Sequence, residues 1–110
     1  MVDLSFLRNF SKGKPAKFER YIQLYLDLSH ESYEAMETAF QAKDLPTIAN
    51  QAHSLRPQAT FMGIEGLKEV LLEIETEAKG EGSLTSLKSN IEKARLLHDE
   101  AVPVLQAALN

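Results

Sequence analysis

The stretch Ala52-His53-Ser54-Leu55-Arg56-Pro57-Gln58-Ala59-Thr60-Phe61-Met62-Gly63 holds the residues whose types and spacing best fit chemistry. A neutral imidazole nitrogen is a nucleophile that need not first lose a proton, provided the attacking nitrogen carries none and the other keeps its hydrogen. Such a nitrogen can attack phosphorus. Arg56, one helical turn beyond His53, would bring a compensating positive charge to an incoming or resident phosphoryl group. Asn50 and Gln58 are candidate hydrogen-bond donors, Gln58 the weaker because it projects well around the helix.

Other chemistries find less support. The chain has no cysteine, which removes disulfides and thiolate chemistry. His30, His53 and His98 are widely separated and lack the spacing of a common helical metal site. Asp27 and His30 can share a face, but one pair is not a metal cage. The acidic run Glu73, Glu75 and Glu77 reads as a solvated flank, with no pair assignable to acid and base roles. No glycine-rich phosphate loop or kinase nucleotide-binding constellation is present. Sixteen acidic against twelve basic residues give a net charge of -4, which argues against nucleic acid as a general partner. No apolar run is long enough to span a bilayer, so no direct membrane insertion is expected.

The elements that must position these residues read as helices throughout. Proline, glycine and the apolar spacing predict a short helix near Asp3–Phe10, then helices near Pro15–Leu28, Glu31–Ala42, Leu45–Phe61, Ile64–Lys79 and Leu84–Leu109. Phe18, Ile22, Tyr25 and Leu26 share a face, as do Tyr33, Met36, Ala39 and Phe40. Asp44 and Ser83 are suited to cap the helices that follow them. Pro103 is expected to bend or interrupt the last helix, and Pro57 removes the hydrogen bond normally donated to the carbonyl of His53. With 110 residues there is room for one core. The expected fold is all-α, a four-helix bundle with additional short helical material, residues 1–110 forming a single domain and the Tyr33 helix extending from it.

At about 100° per residue, His53 lies about 110–120° from the centre of its helix's apolar stripe, on the solvent-facing shoulder. Asn50, Arg56, Pro57 and Thr60 fall around that shoulder. Phe61 is either a docking contact or, if Pro57 rotates it, a core residue, and Leu4, Phe6, Leu7 and Phe10 pose the same choice. Gly63 permits a tight break after the helix.

His53-Ser54-Leu55-Arg56, followed by Gly63, Leu67 and the acidic end Glu73-Ile74-Glu75, resembles the signature of the histidine-containing phosphotransfer domain. The likeness runs from Leu4 through the last helix. It implies a helical bundle whose exposed histidine accepts phosphate from an aspartate on a receiver domain and can return it to another. His53 then corresponds to the phosphoacceptor, Arg56 to the nearby basic position and Gly63 to the glycine after the motif helix. The family commonly has glycine immediately after the basic position, where this chain has Pro57, a compact residue with no long side chain to obstruct docking.

The resemblance further implies a reversible phosphohistidine carrier in a multistep phosphorelay rather than an autonomous kinase or hydrolase. Its partners would be response-regulator receiver domains and a hybrid sensor histidine kinase. No cofactor is expected on the chain itself, and Mg2+ is expected in the partner receiver. The setting would be cytoplasmic, or the cytoplasmic part of a larger signalling protein. The competing expectation is a helical adaptor that docks a receiver without accepting phosphate.

Overall fold

A computed structural model describes residues 1–109, the side chain of Glu81 excepted. Its helices are α1 (Ser5–Ser11), α2 (Pro15–Gln41), α3 (Leu45–Met62), α4 (Leu67–Thr76) and α5 (Leu84–Ala107), with a wider π-type turn over Glu77–Glu81 between the last two. The four long helices form the bundle and α1 caps one end. At 1.5 Å per residue α2 is about 40 Å long, which accounts for the 44 Å long axis of a molecule only 20 Å across.

The apolar stripes meet in one core. Ile48, Ala49, Ala52, Leu55, Ala59 and Met62 of α3 pack with Leu67, Val70, Leu71 and Ile74 of α4, with Ile22, Tyr25, Tyr33 and Met36 of α2 and with Leu87, Ile91, Ala94, Ala101 and Leu105 of α5. Pro15 occupies the first turn of α2, where its missing N–H costs nothing. The Asp44 carboxylate accepts from the Thr47 N–H at 3.3 Å and the Thr47 hydroxyl at 2.6 Å. At α5, Ser83 Oγ accepts from the Ser86 N–H at 3.0 Å. Both caps satisfy N–H groups that a helix start leaves unpaired.

Three expectations are corrected. The segments 15–28 and 31–42 are one continuous helix, so the Tyr33 segment belongs to the bundle; Tyr33, Met36 and Ala39 are buried along with Phe18, Ile22 and Tyr25. Ser29, in the expected gap between them, is buried within it, as is Ser32, and Ser29 Oγ donates back to the Leu26 carbonyl. Ile64 lies outside α4, which begins only after Gly66 at φ +83°. Ile64 instead pairs with Val2 in an isolated antiparallel bridge. Finally, of the two effects expected of Pro103, an interruption does not occur: α5 runs through it to Ala107.

That bridge belongs to a strap. The Asp3 N–H donates to the Gly63 carbonyl and the Glu65 N–H to the Met1 carbonyl, each at 2.9 Å. Gly63 has φ +65° and closes α3. A side chain there would drive its Cβ into the Asp3 carbonyl, so glycine is required both by the left-handed backbone and by the strap lying against it. Among the described residues no helix is long and apolar enough to cross a membrane.

Candidate functional site

Ala52 and Leu55 anchor α3 in the core, which turns His53 between them outward with 64% of its side chain exposed. Its Nδ1 lies 3.1 Å from Glu75 Oε2 on α4. The Arg56 guanidinium donates to Glu75 Oε1 at 3.2 Å, and Lys79 Nζ donates to Oε2 at 3.0 Å. Glu75 is thus a hub for three donors, its own side chain only 9% exposed. The hydrogen bond from Lys79 holds its carboxyl below the usual carboxylate range, with His53 helping and burial opposing.

An ionised carboxylate only accepts hydrogen bonds, so the Nδ1–Glu75 contact fixes the ring hydrogen on Nδ1 and leaves the Nε2 lone pair free. An imidazole held this way, with two cations beside the same carboxylate, has the chemistry to attack through Nε2. An anionic electrophile is the matching substrate type.

The arrangement around this hub is selective. Arg56 joins it. Asn50 is exposed one turn before His53 and, with Lys79, lines an open cavity of about 520 Å³ between the start of α3 and the π-type turn. Thr60 spends its hydroxyl on the Arg56 carbonyl at 3.0 Å. Pro57 is exposed and Gln58 half-buried, and neither meets the Glu75 carboxylate. Phe61 is half-buried in an aromatic cluster, edge-on to Phe6 and Phe10 at centroid distances of 5.2 and 5.0 Å and stacked on Tyr21 at 5.9 Å. Of the α1 residues, Leu7 takes the core role, whereas Phe6 and Phe10 are exposed.

Sequence reasoning missed Lys79 and met Glu75 only as part of the acidic end of the signature; reading Glu75 as a solvated flank is corrected by its burial. The signal was the stripe itself. Glu75 follows Leu71 by four residues and precedes Ala78 by three, both buried, so it sits on the shoulder of the buried face.

The other histidines have different surroundings. His30 pairs with Glu34 at 3.2 Å on the exposed side of α2. His98 is buried between α2 and α5, where its Nδ1 shares a hydrogen with Tyr25 Oη at 3.0 Å and its ring lies 4.8 Å from that of Tyr33. Burial holds the His98 imidazole below its usual range, Asp99 opposing and Arg95 and His30 adding to the effect. Among the described residues no group of three His, Asp or Glu is arranged to hold a metal ion.

A family model described as Hpt domain matches residues 20–109. The chain belongs to the Hpt domain family. Membership makes it a phosphotransfer carrier domain rather than an autonomous kinase or hydrolase, in keeping with the all-α bundle. No match was found among curated proteins or among solved structures. The matched stretch begins within α2, so the strap and α1 lie outside it.

Proposed function

We propose that His53 of this Hpt domain is the phosphoacceptor of a reversible carrier, moving phosphate between aspartate-bearing receiver domains in a multistep phosphorelay. The carrying observation is the His53–Glu75 contact, which leaves Nε2 as the exposed nucleophile beside Arg56 and Lys79. Transfer then depends on positioning and electrostatics, the receiver supplying the phospho-aspartate and its Mg2+. Residues 1–110 act as one domain in a cytoplasmic setting, free-standing or within a larger signalling protein, and a hybrid sensor histidine kinase is a natural source of the phosphate.

The apolar surface beside His53 supports docking of such a partner. An interface of ordinary size buries about 800 Å² per partner, a disc about 16 Å in radius. Phe61 lies eight residues from His53, about 12 Å along the helix, so a footprint centred on His53 reaches the Phe6–Phe10–Phe61 cluster. Leu24 and Leu28 follow Tyr21 on the same side of α2 and are also exposed. Pro57 and Thr60 lie between the histidine and the cluster as interface residues, with Asn50 on the other side.

Incubation with a phosphorylated receiver tests the assignment. Acid-labile phosphate should appear on His53, and His53→Gln should abolish it while preserving helicity and receiver binding. Normal binding without labelling of His53 would instead make the chain a receiver-docking adaptor.

A further inference from the structure

Carriage through Nε2 leaves the hydrogen on the other ring nitrogen to be accounted for, and Glu75 is the group in contact with it. In the forward step the Nε2 lone pair forms an N–P bond as the O–P bond to the receiver aspartate breaks, its electron pair departing with the carboxylate. The ring becomes a phosphoimidazolium that still carries its Nδ1 hydrogen. In the return step a receiver carboxylate oxygen attacks phosphorus, the N–P bond breaks, and the pair returns to Nε2 to give neutral imidazole. If the Nδ1 hydrogen were lost in between, the leaving group would be an imidazolate anion, which departs far less readily.

Resting on the carrier reading above, we propose that Glu75 is a positioning residue that keeps the Nδ1 hydrogen on His53 through the phosphorylated state, so that the N–P bond stays in its readily transferred form. A negative charge against a ring that becomes cationic stabilises the cationic form most, as a buried carboxylate does behind a catalytic histidine. A neutral acceptor in the same place would orient the ring without that preference. Glu75 is suited to the task because its side chain is nearly buried and Arg56 fixes its other oxygen at 3.2 Å. The hydrogen bond from Lys79 holds its carboxyl below the usual carboxylate range, which favours the ionised form.

Lys79 gives the proposal a second handle. Its Nζ bonds the same oxygen, Oε2, that faces Nδ1, so it competes with the ring for that negative charge. The charged groups at this face are Arg56 on α3, Glu75 on α4 and Lys79 on the turn. Among the described residues no charged side chain of α2 or α5 is paired with them.

The test uses the full chain, labelled at His53 with phosphoramidate as a small phosphodonor, and follows phosphate return to a receiver domain from pH 6 to 9. Glu75→Gln should lose return rate steeply with rising pH, about tenfold per unit once the ring deprotonates, while the unmodified chain changes less than about twofold over the same unit. Lys79→Met should displace the fall in the opposite direction, to higher pH, a reversal that general damage to the fold cannot produce. Nitrogen NMR of the labelled, unmodified chain should show the Nδ1 hydrogen still present at pH 8. Superimposable profiles for Glu75→Gln and the unmodified chain, or an Nδ1 without hydrogen at pH 8, would overturn the proposal. If receivers neither donate to nor accept from His53, the carrier reading fails separately, and the NMR measurement still decides the proton.

Discussion

Arg56 and Lys79 grip one carboxylate, yet their settings predict unequal consequences for losing them. Arg56 is 26% exposed and Lys79 62%, so the arginine stem also covers core edge whereas the lysine is largely solvated. Arg56→Ala should slow phosphate acceptance about tenfold and cost about 1 kcal/mol of stability, because it removes packing along with charge. Lys79→Ala should slow acceptance about threefold and leave stability within about 0.5 kcal/mol, the range of an exposed ion pair. Transfer kinetics and denaturant unfolding on the same samples check both. At this scale the sequence was half readable. His53 and Arg56 are neighbours on one helix, so periodicity finds them. Glu75 comes from α4 and Lys79 from the turn after it, and their distance from His53 depends on how α3 packs against that stretch, which no spacing within one helix encodes.

The helices make their own predictions at two residues. Pro57 leaves the His53 carbonyl without its usual helical donor while α3 continues through it. Pro57→Ala should therefore raise stability by about 1–3 kcal/mol, read as a higher urea midpoint at unchanged slope. Unchanged or reduced stability would show that the helix is shaped around the ring. Gly63→Ala should cost about 2–3 kcal/mol, combining a strained left-handed backbone with loss of strap hydrogen bonds. Faster amide exchange at Asp3 and Glu65 would locate the damage. Helix identity was legible because the apolar residues recur at three and four positions throughout. Helix limits were less so: Ser29-His30 resembles a break only until tertiary burial gives Ser29 a place in the core, and the Val2–Ile64 bridge joins residues too far apart in sequence for any local pattern to reveal.

For the molecule as a whole, His98 links the α2–α5 contact to pH. Its folded range is depressed by burial, so between that range and the ordinary histidine value near 6.5 the unfolded chain binds the extra proton. The associated stability is fully present above about pH 6.5 and is lost as pH falls toward the folded value. Unfolding free energies at pH 7.5, 6.5 and 5.5 should decline in that order. His98→Phe should flatten the trend across this window, whatever it does to absolute stability. An unchanged slope would place the titrating group elsewhere. A lone histidine on an apolar face looks the same in sequence whether it is buried or exposed, which is why His98 carried no expectation until Tyr25 and Tyr33 were found around it.

The placement of the three tyrosines also makes the molecule its own optical instrument. The chain has no tryptophan, so in a mixture with a tryptophan-bearing receiver the long-wavelength emission comes from the receiver alone. Tyr21, half-buried against Phe61, is placed to sense a partner arriving at the aromatic cluster. Tyr25 and Tyr33, fully buried around His98, sense only the integrity of the interior. Comparing tyrosine absorption of the unmodified chain with that of Tyr21→Phe assigns a change to docking at the cluster or to loss of the interior.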